Sequence, residues 1–124
     1  MPAEIALVIA AGLLFLVGLA HSILGERYIL VRLFRRPDLP RLFGGTEFTV
    51  RTLRFAWHLT TIAWWGLAAL LYVLSRPQVD PDFITAIIGA TVLATAVLTA
   101  VVSRGRHLAW PAFLLAGVLI FAAR

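Results

Sequence analysis

FITAIIGATVLATAVLTAVV, residues 83–102, holds no charged side chain in 20 positions. A helix rises ~1.5 Å per residue, so a run of this length crosses the ~30 Å hydrocarbon core of a bilayer. A helix also closes its own peptide hydrogen bonds where no water can reach them. The stretch therefore reads as a membrane span. Thr91, Thr95 and Thr99 recur on one of its faces, and Ala86, Ala90 and Ala94 on another. Small residues at this spacing let helices approach closely, so both stripes are expected to pack. The threonines are also a candidate lining for a polar pathway.

Working towards the N-terminus, Ser75-Arg76-Pro77 ends a second apolar run over residues 53–74, joined by Gln78-Val79-Asp80-Pro81-Asp82. So short a link makes the two spans antiparallel neighbours. Trp57 and Tyr72 stand near opposite ends of the run, where aromatic belts lie. Thr46 is placed to cap this helix, with Glu47 in its first turn. Towards the C-terminus, Ser103-Arg104-Gly105-Arg106-His107 leads to a short last span over residues 108–123, with Pro111 suited to its first turn.

Residues 5–24 form the remaining apolar run. A secretory leader is the rival reading, but the segment before it carries Glu4 and no basic residue, which predicts a retained helix. Residues 28–36 alternate apolar and arginine positions and suggest a short interfacial helix, ended by Pro37 and Pro40. Gly44-Gly45 is a second break.

The expected architecture is all-α: one membrane domain over residues 1–124, an up-down-up-down four-helix bundle. Composition agrees. The chain is 61% hydrophobic and 14% charged, with a mean hydropathy of +0.94. A small soluble domain could not bury that much apolar surface. The net charge of +5 comes from eleven arginines and no lysine. Because these flank apolar runs, they point to topology and anionic lipid headgroups and not to nucleic acid. Nine of the eleven lie in or, for Arg54, directly beside the first and third loops. The positive-inside rule then places loop 25–52 in the cytoplasm of a bacterial-type inner membrane, with both termini on the other side.

Cysteine is absent, which excludes disulfides, thiolate metal sites and cysteine nucleophiles. No glycine-rich phosphate loop occurs. No serine stands in a nucleophile elbow, so a Ser–His–acid arrangement is not expected. What stands out is that His21, His58 and His107, all the histidines of the chain, fall at one level in this topology. Ionisable groups at membrane depth are costly, which makes them functional candidates. On a helical wheel Gly18, His21, Ser22 and Gly25 share a face of the first span. Arg51, Arg54, His58, Thr61, Trp65 and Tyr72 share one of the second.

Three readings follow. The histidines could hold a divalent metal, or a pair of them a haem, as in a membrane enzyme or redox subunit with Glu26 as partner. The polar set Ser22, Glu26, Arg27, Arg51, Arg54 and Thr61 could bind an anionic headgroup or small anion. The third reading is packing alone, with the histidines as hydrogen-bonded helix-end groups. The expected role is an accessory or ligand-binding protein, in a homo-oligomer or a larger membrane complex. A small transporter acting as an oligomer is the alternative.

Overall fold

The computed structural model describes the whole chain, Met1 to Arg124, and is all-helical. Four rods account for it: α1 (Ala3–Leu33), α2 (Glu47–Leu74), α3 (Pro81–Ser103) and α4 (Ala109–Ala122). The first three are long and apolar enough to cross a membrane. With 14 residues, α4 is shorter, ~21 Å by helical rise. Large apolar side chains point outward along the rods, with Val97 61% and Val101 68% exposed. Such a surface suits lipid and would be a liability in water.

The first rod departs from expectation. It runs on past residue 24, and residues 28–36 do not form a separate interfacial helix. The helix instead continues through a π turn at Gly25–Leu30 into Val31–Leu33. A π turn bonds i to i+5, which brings Leu30 beneath Gly25, and both are buried. The rod stops at Phe34, just short of Pro37.

The second rod starts at Glu47, six residues before the expected apolar boundary. Thr46 makes no side-chain cap; its carbonyl accepts from Val50 at 2.9 Å, and Glu47 pairs with Arg51 instead. Ahead of it Leu42 and Gly45 exchange backbone hydrogen bonds across a tight turn. Phe43 and Gly44 both take positive φ there, 54° and 88°. This is the sign pattern of a mirror-image hairpin turn. The third rod has regular ends. Asp80 caps it by accepting from Asp82 N–H at 2.9 Å with Pro81 at the first position, and Arg104 closes it in the left-handed region.

Packing joins α1 to α2, α2 to α3 and α3 to α4, with no other extensive helix–helix interface. Along α1 and α2 the contacts run in opposite senses. Phe15 meets Trp65, whereas Gly25, further along α1, meets Trp57, earlier on α2. Close approach occurs at small residues: Gly66 against Thr91, Gly89 against Phe121, and Gly117 against Leu93. Thr95 and Thr99 face inward, but Ala90 and Ala94 lie exposed, so the alanine stripe does not pack. Thr91 and Thr95 donate back to carbonyls of their own helix.

The first and third loops meet at one end of the molecule. The His107 ring stacks on Phe48 at 5.9 Å and meets the Phe55 edge at 4.9 Å, and Arg106 lies 3.8 Å from Glu47. Nine arginines are thus gathered at that end.

Candidate functional site

Two glycines of α1 make room for two indoles of α2. A Cβ on Gly25 would lie 2.2 Å from Trp57, and one on Gly18 would lie 2.8 Å from Trp65. No real contact is so short, so only glycine lets the rings reach the α1 backbone. Each indole N–H then donates to an α1 carbonyl, Trp57 to His21 and Trp65 to Phe15, both at 3.1 Å. His21 answers with its own ring. It stacks parallel on Trp57 at 4.4 Å, and its Nε2 lies 3.3 Å from the Trp57 carbonyl.

Beside this aromatic clamp runs a continuous polar chain. Arg54 Nη2 lies 3.0 Å from Glu26 Oε1, and Glu26 Oε2 lies 3.2 Å from His58 Nε2. His58 Nδ1 is 2.8 Å from Ser22 Oγ, which is 2.8 Å from Thr61 Oγ1. Thr61 in turn donates to the Gly18 carbonyl at 3.2 Å. Helical spacing explains the grip on the imidazole. Ser22 and Glu26 are four apart on α1 and hold opposite nitrogens of one ring. The side chains of His58 and Glu26 remain 24% and 33% exposed, so the charged part of the chain is not sealed between the helices.

Counting protons shows what this arrangement can do. A hydroxyl has one hydrogen to donate. If Thr61 gives its hydrogen to Gly18, Ser22 must give its own to Thr61, and Nδ1 of His58 must then donate to Ser22. Nε2 faces a carboxylate, which when ionised only accepts. With every bond made, both ring nitrogens carry hydrogen and the ring is an imidazolium beside a carboxylate. With Nδ1 as an acceptor instead, Ser22 turns its hydrogen to the ring, and Thr61 bonds either Ser22 or the Gly18 carbonyl. The direction of the Ser22 hydroxyl is therefore linked to the hydrogen on Nδ1.

The remaining candidates are placed elsewhere. His107 sits at the start of α4, its Nδ1 accepting from the Ala109 N–H at 3.2 Å, apart from the other two histidines. No three His, Asp or Glu side chains converge as a metal-binding set. Arg51 pairs with Glu47. Arg54 pairs with Glu26 and covers the Phe34 ring at 4.9 Å. Arg27 lies over Tyr28 at 5.5 Å. The three arginines thus face separate partners and form no shared cradle. The Ser22–His58–Glu26 connection was not anticipated. Its trace in the sequence is the four-residue spacing of Ser22 and Glu26.

Two hollows flank the site. A groove of about 440 Å³ opens along the α1–α2 seam, walled by Ala20, Leu24, Tyr28 and Trp64. A second hollow of about 580 Å³ lies at the arginine-rich end between the Leu42–Gly45 turn and Arg106. Comparison with known protein families, with curated proteins and with solved structures finds no match.

Proposed function

We propose that this chain is a small multi-pass protein of a bacterial-type inner membrane, an up-down-up-down four-helix unit. Its arginine-rich end faces the cytoplasm and both termini lie on the other side. It serves as an accessory, ligand-binding protein through the polar site at the cytoplasmic end, and the ligand with the best chemical support is the proton. One observation carries this reading: His58 is held on one nitrogen by Glu26 and on the other by Ser22. A carboxylate, an imidazole and two hydroxyls in series store a proton and report its presence by reorienting.

Nitrogen-detected NMR of histidine-labelled protein in micelles tests it. The expected result is that the His58 ring pattern and the Ser22 hydroxyl signal change with pH as one event. A His58 ring that keeps one tautomer while that hydroxyl stays fixed would sink the proposal. Metal analysis and visible absorption of wild type beside His58→Ala address the metal and haem reading. Stoichiometric metal or a Soret band, lost in the variant, would replace the proton with that group. That no three His, Asp or Glu side chains converge weighs against a metal ion held by such a set.

A hydrolytic second reading draws on the 2.8 Å contact of Ser22 Oγ with His58 Nδ1. Ser22 stands inside a helix, however, where neighbouring amides are already bonded and offer no oxyanion donors. Labelling of Ser22 by a fluorophosphonate would revive it.

A further inference from the structure

We infer that the groove on the α1–α2 seam is a binding site for one anionic phospholipid, its acyl chain lying along the groove and its phosphate at Arg27. This rests on the membrane placement proposed above but not on the proton site. The groove lining is almost wholly apolar, from Val17 at one end to Ile29 at the other. Those residues are separated by ~18 Å of helical rise, close to the ~15 Å depth of one leaflet's hydrocarbon. Trp64 and Tyr28 give it flat walls, and Gly25 and Ala20 keep its floor low. An open, dry channel of this depth suits an extended hydrocarbon chain and offers nothing to a polar solute.

Charge selects the headgroup. The groove ends towards the arginine-rich loops, and Arg27 stands there over the ring of Tyr28, itself part of the wall. Arg27 is exposed and forms no ion pair. The nearest acid in sequence, Glu26, is turned the other way and taken by Arg54 and His58. A free guanidinium at the mouth of a one-leaflet groove matches a phosphate.

Native mass spectrometry of the purified chain, titrated with phosphatidylglycerol or phosphatidylcholine, tests the assignment. A first phosphatidylglycerol is expected to bind about fivefold better than phosphatidylcholine, the preference one arginine supplies near anionic lipid. Arg27→Gln should bring the two lipids level, and Ala20→Trp, filling the floor, should weaken both. Arg27→Gln changes only an exposed side chain, so it keeps the test alive if Ala20→Trp fails to fold. Equal binding of the two lipids by wild type, or an unchanged preference in Arg27→Gln, overturns the site. So does a protein dimer abolished by Ala20→Trp, since a second copy would then fill the groove. A chain that stays dispersed without detergent would instead overturn the membrane placement itself.

Discussion

The α1–α2 seam and the α3–α4 seam both depend on glycine, yet they hold by different means. Between α1 and α2, Gly18 and Gly25 admit indoles that are then fixed by hydrogen bonds to the α1 backbone, with the Arg54–Glu26–His58–Ser22–Thr61 chain alongside. Between α3 and α4, Gly89 and Gly117 admit Phe121 and Leu93, and no side-chain hydrogen bond crosses the helix bodies. One seam is oriented by directional bonds and the other only by shape. In lipid, where the hydrophobic effect does not drive helices together, that difference decides which seam has a single register.

The largest expected effect comes from a matched pair of glycine substitutions. Gly25→Ala places a methyl group against an indole pinned by His21 and by its own hydrogen bond, and should destabilise by about 2–3 kcal/mol. Gly117→Ala meets a leucine side chain that can rotate away, and alanine gains helix propensity of ~1 kcal/mol, so it should be close to neutral. Unfolding in detergent, followed by helical circular dichroism, separates the two. Equal losses would mean that the seams do not differ in rigidity.

Next comes the ion pair. A double-mutant cycle of Glu26→Gln and His58→Gln should give a coupling of about 1 kcal/mol, held down by the partial exposure of both groups. No coupling would detach Glu26 from the imidazole and break the polar chain at its charged end.

A third contrast uses isosteric threonine changes. Thr61→Val removes a hydroxyl that bonds across the seam and should cost about 1 kcal/mol. Thr99→Val removes a buried α3 hydroxyl that has no partner, and should be neutral or stabilising. If both lose alike, the hydroxyl chain adds nothing specific.

The smallest effect lies outside the spans. The Arg36 guanidinium holds the Asp38 carboxyl below its usual range, chiefly by a hydrogen bond. A lowered folded-state value means that the bridge helps above the ordinary carboxylate range and is lost as pH falls through the lowered one. Carbon-detected titration of Asp38 should show this, and Arg36→Gln should raise its midpoint most of the way towards the ordinary carboxylate range, the backbone hydrogen bond remaining. Because the bridge is local to the loop, neither helix seam should respond.

The apolar runs were legible from composition, because 20 uncharged residues leave few alternatives. The wheel faces were legible too: Gly18, His21, Ser22 and Gly25 do face Thr61, Trp57 and Trp65. Helix ends were harder. Thr46 has the right side chain for a cap, but its backbone lies in the helical region, so the hydroxyl cannot reach back to an N–H. Residues 28–36 read as a new helix because a π turn has no compositional signature and shifts the apolar pattern without breaking the rod. In the topology expected from sequence, His107 falls at one level with His21 and His58, but level says nothing of which helices a residue packs between. His21 and His58 lie on the α1–α2 seam, whereas the His107 ring, ahead of α4, packs on Phe48 and Phe55 of α2.

The π turn at Gly25–Leu30 has one more implication, which concerns insertions and deletions. It accommodates one residue more than an α-helical turn would hold, so the rod carries a spare position just past the polar site. Deleting any single residue from it would leave an unbroken helix of nearly the same hydropathy, and a hydropathy plot would register almost no change. The downstream half would keep its facing, because an α turn closes the same rotation with one residue fewer; the same deletion elsewhere in the rod would turn Leu30 off the seam and Phe34 away from Arg54. Over this segment the chain has a reading frame for its surface as well as for its codons, kept in phase by six residues of unusual backbone.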